Sequence, residues 1–318
     1  STLDRSSAAS DVYKRQGGAA AMNTAYASGG ITGLANEAIT LDDTSLEVTV
    51  FNTLDGNTTG AVNAATVTTL TGAASAVITA YDSSGISGLG NEKLTLSGNT
   101  SVANANTLAA DTTGVITATI TETAASTLAT LTETTNAYTI TVGDTSVTAA
   151  NLNTIDGATT VAVTATAVTS ITGTTSAVTT AYGSSGINGL GNEAITLTGD
   201  NSVSNANTVA ALTSGVVTAT ITEGDMSTLA NLTETGNAYT VTITDSSVAS
   251  SALNTLDGYT TVAVNAAAVT TLTGLAADAN TAYASSGISG LGNEAVTLTD
   301  TAGVALTLHT LDLSLIHI

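Results

Sequence analysis

The sequence lacks cysteine, proline and tryptophan and has a single phenylalanine among its 318 residues. Without cysteine there are no disulfides and no thiolate metal sites. No apolar run approaches the roughly 18 to 20 residues needed to cross a bilayer, so no membrane span is expected. Basic residues are also scarce, with four lysines and arginines against 25 acidic residues. The net charge of −21 argues against nucleic acid as a partner, because phosphate backbones would be repelled.

Motifs of the common enzyme classes are missing as well. No G-x-S-x-G, H-E-x-x-H or phosphate-binding loop pattern occurs in the sequence. His309 has no cysteine or second histidine to share a metal, and we interpret it as a solvated residue. General acid–base chemistry would therefore depend on carboxylates. The sequence predicts a protein that is not an enzyme, with no catalytic, cofactor-binding or metal-ligating residues.

The two ends differ from the rest of the sequence. Residues 6–16 read SSAASDVYKRQ, and residues 313–318 read LSLIHI. They resemble the in-frame translations of a transposase-type sequencing adapter and of its reverse complement. The resemblance implies that residues 1–16 and 313–318 are adapter-derived, and that residues 17–312 form a single continuous repeat segment. Lys93 is then the only basic residue of that segment.

Between these ends the sequence repeats itself. GISGLGNE at Gly85 recurs as GINGLGNE at Gly186 and as GISGLGNE at Gly287, each copy 101 residues after the previous one. A related GITGLANE begins at Gly30, only 55 residues before the Gly85 copy. The 101-residue unit is therefore composite, and periods of this kind are typical of repeat architectures.

Shorter repeats appear when the alternating threonine-rich segments are aligned on their central apolar residues. We call each such segment, with the residues that follow it, a rung. The anchor residues are Leu41, Leu70, Leu96, Ile120, Val142, Ile171, Leu197, Ile221, Ile243, Leu272 and Leu298. Their spacing runs 29, 26, 24 and 22 residues and then repeats, which predicts eleven rungs of about 25 residues.

Each rung is predicted to contain one strand and one short helix. Residues 217–222 alternate apolar residues with threonine, the pattern of a strand with one buried face. After Asp245, apolar residues follow at every fourth position from Val248, which favours a helix. An aspartate before the run suits an N-cap, and Gly157 or Gly258 after it suits the left-handed position beyond a helix.

Elements this short cannot bury their own apolar faces, so equivalent rungs are expected to stack. Parallel strands lie about 4.8 Å apart, which gives eleven rungs a length on the order of 50 Å. The predicted fold is an α/β repeat solenoid of stacked parallel strands with one short helix per rung. A right-handed parallel β-helix is the alternative, because the rung lengths fit both. Tandem β-sandwich domains are the third choice, although they need hairpin turns every 8 to 12 residues or so, which the sequence lacks.

Two sets of aspartates recur with the 101-residue period. Asp43, Asp144 and Asp245 are predicted at strand ends, and Asp55, Asp156 and Asp257 at helix ends. Copies four rungs apart are too distant to share an ion, and the calcium-binding nonapeptide pattern is absent. We therefore predict capping and solvation and no cofactor, with weak Ca²⁺ binding as the alternative.

Glutamate and tyrosine recur in the same way. Glu37, Glu92, Glu193 and Glu294 end the G-L-x-N-E motif, and Tyr26, Tyr81, Tyr182 and Tyr283 lie where helices are predicted to end. The glycines of the motif favour a tight turn, so the glutamates are interpreted as turn residues. The tyrosines are expected to pack between rungs, with a carbohydrate platform as the alternative.

Pairs of threonines flank many anchor residues. They are Thr69/Thr71, Thr119/Thr121, Thr196/Thr198, Thr220/Thr222, Thr242/Thr244, Thr271/Thr273 and Thr297/Thr299, with Ser170/Thr172 and Thr95/Ser97 as near matches. On stacked strands they would form two ladders, about 6.7 Å apart along the strand and about 4.8 Å apart between rungs. Flat ladders of this kind resemble the surfaces of ice-binding solenoids. The simpler interpretation is that threonine favours the solvent face of a strand.

The phrases A-L-N-T-L-D-G, V-T-T-L-T-G and G-I-S-G-L-G-N-E resemble the tandem repeats of very large cell-surface proteins of marine bacteria, including cyanobacteria. The resemblance covers residues 17–312. It implies an exported cell-surface or extracellular protein with a non-catalytic structural or adhesive role. Its partners would be an unknown surface ligand or neighbouring repeats of the same chain. The alternative function is a ligand-binding solenoid that takes ice or glycan through the threonine ladders or the tyrosine column.

Overall fold

The structure is a computed structural model that describes residues 15–300. His309 and the adapter-like residues 1–14 and 313–318 lie outside the described residues. The adapter-like residues 15 and 16 belong to the first strand, Arg15–Gly17.

Short helices and short strands alternate along the described residues. The helices are α1 (Ala19–Ala27), α2 (Val48–Asn57), α3 (Ala74–Asp82), α4 (Val102–Asp111), α5 (Ala125–Leu128), α6 (Ala149–Gly157), α7 (Thr175–Gly183), α8 (Val203–Ala210), α9 (Met226–Leu229), α10 (Ser250–Tyr259) and α11 (Ala276–Ala284). The strands are β1 (Arg15–Gly17), β2 (Ile39–Leu41), β3 (Ser45–Glu47), β4 (Val62–Asn63), β5 (Thr69–Gly72), β6 (Ile86–Ser87), β7 (Lys93–Thr100), β8 (Ile116–Ile120), β9 (Ala137–Thr139), β10 (Ser146–Thr148), β11 (Val163–Thr164), β12 (Ser170–Gly173), β13 (Ile187–Asn188), β14 (Ala194–Leu197), β15 (Val217–Thr220), β16 (Ala238–Thr240), β17 (Ser247–Ala249), β18 (Val264–Asn265), β19 (Thr271–Gly274), β20 (Ile288–Ser289) and β21 (Ala295–Leu298).

These elements belong to two compact units, one with residues 15–143 and 154–164 and the other with residues 144–153 and 165–300. In the first unit, β1-β2-β4-β6 form sheet 1 and β3-β5-β7-β8-β9 form sheet 2. In the second unit, β10-β12-β14-β15-β16 form sheet 3, β17-β19-β21 form sheet 4 and β18-β20 form sheet 5. Neighbouring strands within these sheets are parallel. The predicted α/β class with stacked parallel strands is confirmed, and the arrangement is consistent with a solenoid-like repeat.

The register of sheet 2 identifies which residues are neighbours between rungs. Leu46 pairs with Leu70, Leu70 with Leu94, and Leu94 with Ile116. Successive partners are therefore 24, 24 and 22 residues apart in the sequence. All four side chains are buried, so one apolar column runs through the sheet.

The predicted alignment of anchor residues is wrong in register. Leu41 lies in β2 of sheet 1 and is not a partner of Leu70. Leu96 pairs with Gly72. A slip of two residues along an alternating strand returns an apolar side chain to the buried face, so the threonine-rich pattern fits either register.

Several rungs contain two strands, where the sequence predicted one. Both β4 and β5 precede α3, and both β6 and β7 precede α4. The first member of each pair lies in sheet 1 and the second in sheet 2. The short strand β4 buries only Val62, and an alternation of two residues is too short to identify from sequence.

The core lies between the inward sides of the strands and the inner faces of the helices. Val77 of α3 and Leu108 of α4 are completely buried, as are Leu70 and Leu94 of the adjoining sheet. Burial of an aliphatic side chain of this size contributes about 1.5 to 3 kcal/mol. Because each strand contributes only one or two such residues, the core of a unit is shared among its rungs.

The glycines expected beyond the helix ends lie inside helices. Gly157 is the last residue of α6, and Gly258 is in α10. Neither has a positive φ, so the predicted left-handed conformation is wrong. The error arose because Val248 lies in strand β17 and the helix begins only at Ser250, which moves the helix towards the glycine.

We expect Gly258→Ala to raise the free energy of unfolding by about 0.5 to 1 kcal/mol, because alanine has less freedom to lose in a helix. A Cβ at Gly258 would meet nothing within 4 Å. The matched control is Gly290→Ala, since Gly290 has φ +89° and its Cβ would lie 2.7 Å from Ala267 N. Thermal unfolding followed by circular dichroism should show a higher midpoint for the first variant and a lower one for the second. A lower midpoint for Gly258→Ala would contradict the helix assignment.

Candidate functional site

Each glutamate of the G-L-x-N-E motif accepts a hydrogen bond from one of the recurring tyrosines. The Oη to Oε2 distances are 2.6 Å for Tyr81 and Glu92, 2.8 Å for Tyr283 and Glu294, and 3.2 Å for Tyr26 and Glu37, and Tyr182 donates to Glu193 in the same way. Sequence reasoning considered the two residue types separately. The signal that could have joined them is their constant separation of 11 residues.

The loop of the motif holds the same carboxylate. The backbone N–H of Gly90 donates to Glu92 Oε2 at 2.8 Å. Gly88 has φ +90°, and a Cβ there would lie 2.7 Å from the backbone nitrogen of Ala65 in the preceding rung. Only glycine permits both the left-handed backbone and this close approach. The predicted tight turn is therefore confirmed, and its glutamate joins the turn to the helix that carries the tyrosine.

Three of these glutamates, Glu92, Glu193 and Glu294, are buried, and Glu37 is half-buried. Glu92 and Glu193 have no exposed surface. In each, Oε2 accepts the tyrosine and backbone bonds, whereas Oε1 has no hydrogen-bond partner. Burial of a carboxylate is costly unless hydrogen bonds compensate, so the tyrosine hydroxyl and the loop amide are required to stabilise each glutamate in place.

The tyrosines of these pairs are poorly suited to proton transfer. Burial, followed by the bonded glutamate, raises the pKa of Tyr81 well above its usual value. The same two causes raise the pKa of Tyr182 and of Tyr283. At neutral pH each hydroxyl is therefore protonated and already donates to a carboxylate. This arrangement supports a structural role and argues against a tyrosine column that offers free hydroxyls to a carbohydrate.

Two further tyrosines, not singled out from the sequence, are more deeply buried. Tyr138 and Tyr239 are each 1% exposed and follow the phrase N-A in equivalent copies. Asn136 Nδ2 donates to Tyr138 Oη at 3.0 Å, whereas Tyr239 Oη has no partner. Burial is the main cause that raises the pKa of both tyrosines to about 12.

Acidic residues cap helices, but the capped helix belongs to the preceding rung. The first backbone N–H of a helix donates to a carboxylate in five cases: Ala19 to Asp43 at 2.7 Å, Val102 to Glu122 at 3.0 Å, Val203 to Glu223 at 3.1 Å, Met226 to Asp245 at 2.6 Å, and Ala276 to Asp300 at 2.7 Å. Asp43 and Asp245 therefore do cap helices, but the prediction that Asp245 caps the helix after it is wrong, because Asp245 caps α9 and no side chain caps α10 at its N-cap residue. Asp144 lies two residues before β10, in the position equivalent to these two aspartates.

The aspartates at helix ends join neighbouring rungs. Asp55 accepts from Ser83 Oγ at 2.6 Å, and Asp257 accepts from Ser285 Oγ at 2.7 Å. A Cβ at Gly85 would lie 2.3 Å from Asp55 Oδ1, so this contact also needs glycine. Asp156 occupies the equivalent position in the last turn of α6.

The carboxylates of residues 15–300 do not converge into a metal centre. Within this range, no group of three or more histidine, cysteine, aspartate and glutamate side chains could hold a metal ion. Within the same range, no helix has the length and apolar character needed to cross a membrane.

One threonine column forms on the outer face of sheet 3. Thr148, Thr172, Thr196 and Thr218 are in register on four consecutive strands. Thr172 is half-buried and the other three are exposed. The neighbouring outward column contains Ser146, Ser170 and Ala194, so the outward positions of these strands are uncharged.

The predicted second ladder is wrong. Thr198 lies beyond the end of β14, and Thr121 beyond the end of β8. The second outward position of sheet 3 is filled by serine and alanine. In sheet 2, Thr71, Thr95 and Thr117 are in register, but the column continues into Glu47. The prediction aligned the strands on their anchor residues. That alignment grouped threonines that lie at different positions along their strands into one predicted ladder.

We expect the protein to lose stability as the pH rises from about 10 to about 12. The pKa of Tyr239 is raised in the folded state above its unfolded value of about 10. Its contribution to stability is therefore fully present below pH 10 and is lost as the pH rises through about 12. Thermal midpoints and tyrosinate absorbance, measured together across this range, would show unfolding and ionisation in parallel.

The matched control for this titration is Tyr239→Phe. It removes an ionisable hydroxyl that has no hydrogen-bond partner, so the fold loses no bond. The alkaline fall in the thermal midpoint should be smaller in this variant. An identical fall in both proteins would exclude Tyr239 as a cause.

Comparison with known proteins assigns no family to the chain. No protein-family model, curated protein or solved structure matches it. The resemblance to repeats of bacterial surface proteins therefore stays a prediction, and function has to be inferred from the described residues.

Proposed function

We propose that residues 17–312 are a non-catalytic structural or adhesive repeat segment of a very large bacterial cell-surface protein, folded as an α/β repeat solenoid. The observation that carries this proposal is the internal use of the recurring polar side chains. Tyrosine, glutamate and aspartate of each 101-residue copy bond to other parts of the fold, as Tyr81 does to Glu92 and Asp55 to Ser83. Side chains bonded in this way stabilise the fold, which supports a structural role.

Repetition of inter-rung bonds also suits a role as a spacer. Because each rung forms the same hydrogen bonds with its neighbour, further rungs can be added without a new core. The strongly negative charge keeps such a chain soluble and resists association with other acidic surfaces. Both properties support a segment that gives its parent protein length and exposed surface.

The proposal predicts that the parent gene contains more copies of the same repeat. A long-read contig that extends beyond both ends of this sequence should show the 101-residue period on each side, within one open reading frame. It should also encode an export signal and a surface anchor. A contig in which the frame closes within one rung on either side would overturn the proposal, because the segment would then be a small protein of its own.

The threonine column of sheet 3 favours one second candidate, binding to an ice surface. Its outward threonines and serines are uncharged in a protein of net charge −21, and they recur at the strand spacing of about 4.8 Å. A regular array of methyl and hydroxyl groups can order water in two dimensions. A glycan fits this face less well, because its strands present no aromatic ring for a sugar to pack against.

Thermal hysteresis and ice-crystal shaping test this candidate. The full chain should slow ice growth, and the double variant Thr172→Lys/Thr196→Lys should lose the effect because two charged side chains interrupt the column. The matched control is Thr255→Lys, an exposed position on helix α10. Absence of hysteresis in the original protein, or equal hysteresis in the double variant, would exclude ice binding.

A further inference from the structure

Helix capping in this fold runs in one direction along the chain. In the five helices capped by a distant carboxylate, the acidic residue comes 19 to 24 residues after the amide that it accepts from. Parallel stacking places that residue in the following rung. We infer that the local stability of each such helix is controlled by the rung that follows it, and that local unfolding therefore spreads towards the N-terminus.

Helices α4 and α8 show which acceptor bonds each backbone amide at a helix N-terminus. In α8, Ser202 Oγ accepts from Asn205 N at 3.1 Å, whereas Glu223 Oε2 accepts from Val203 N at 3.1 Å. The N-cap serine of the helix itself thus satisfies the third amide, and the following rung satisfies the first. The N-terminus of a helix has four backbone amides without an intrahelical partner, so removal of either acceptor returns one of them to solvent.

Helix α4 repeats this arrangement in the other unit. Ser101 Oγ accepts from Asn104 N at 3.2 Å, and Glu122 Oε2 accepts from Val102 N at 3.0 Å. The same division in equivalent copies, 101 residues apart, indicates that it belongs to the repeat and is not an accident of one rung.

A second set of bonds also joins these helices to the following rung. Asn106 Nδ2 of α4 donates to the backbone oxygen of Thr130 at 2.8 Å, and Asn207 Nδ2 of α8 donates to that of Asn231 at 2.7 Å. Both acceptors lie 24 residues later in the sequence. The same asparagines accept from Thr132 N and Thr233 N of that rung, so these bonds hold the two rungs together, whereas the carboxylate caps only the helix before it.

The coupling has a favourable electrostatic component. The N-terminus of a helix carries a partial positive charge, so a carboxylate held there is stabilising. An N-cap interaction changes a helix equilibrium by about 1 kcal/mol, or about five-fold. When a rung unfolds locally, the helix of the preceding rung loses its carboxylate acceptor. The helix of the following rung keeps the carboxylate that caps it.

Hydrogen–deuterium exchange of the full chain tests the inference. In Glu223→Ala, the amides of α8 (Val203–Ala210) should exchange about five-fold faster. The helix of the same rung as Glu223, α9 (Met226–Leu229), should exchange at the original rate. Ser202→Ala should also speed α8, because it removes the other acceptor, and Glu122→Ala should speed α4 in the first unit.

Two further variants guard against general effects. Glu234→Ala removes an exposed carboxylate that caps no helix and should leave α8 unchanged. Glu223→Gln keeps an acceptor oxygen without the charge and should accelerate α8 less than alanine does. Three outcomes would overturn the inference. In Glu223→Ala, α9 could exchange faster while α8 is unchanged, or α8 could simply show no change. In both Glu223 variants, exchange could accelerate equally throughout the second unit.

Discussion

The structure depends on parallel register between consecutive rungs. A rung contributes only a few apolar side chains, such as Leu70 of β5 and Val77 of α3, and neither can be buried by its own rung alone. Parallel pairing places Leu70 between Leu46 and Leu94, which closes the core from both sides. The polar bonds between rungs then follow from the same register, because a carboxylate can reach the preceding helix only if the strands are aligned.

Register also explains why the protein can bury carboxylates without a cationic partner. Glu92 is fully buried, yet its partners are a tyrosine hydroxyl and a backbone amide. Neutral donors held rigidly by a glycine turn compensate part of the desolvation cost. The orphaned Oε1 shows that this compensation is incomplete. Each copy of the motif therefore favours one loop conformation at some cost in stability, and that conformation brings Gly88 against Ala65 of the neighbouring rung.

The sequence alone predicted the elements that depend on local patterns. The 101-residue period, the α/β class and the turn at the G-L-x-N-E motif all follow from spacing and residue type. What it missed depends on contacts between rungs. Leu94 and Leu96 are equivalent in any alternating pattern, and only the position of Leu70 in space selects Leu94. Asp245 was predicted to cap the helix after it, since the sequence does not show that its carboxylate accepts from the Met226 amide of the preceding rung.

The distribution of free and bonded groups limits what the fold can do. The four recurring Tyr–Glu pairs and several aspartates are held in bonds between elements, and the recurring asparagines of the helices donate to the next rung. The outward strand positions of sheet 3 are different, because they present threonine, serine and alanine, and the bond that Thr148 Oγ1 accepts from Asn151 N stays within one rung. Evolutionary change at the inward groups would disturb a neighbouring rung, whereas change at the outward positions would not. Residues that determine binding specificity can therefore vary only on the outer surface of the repeat. The hydrogen bonds of the interior are the same in successive copies, so the copies remain interchangeable.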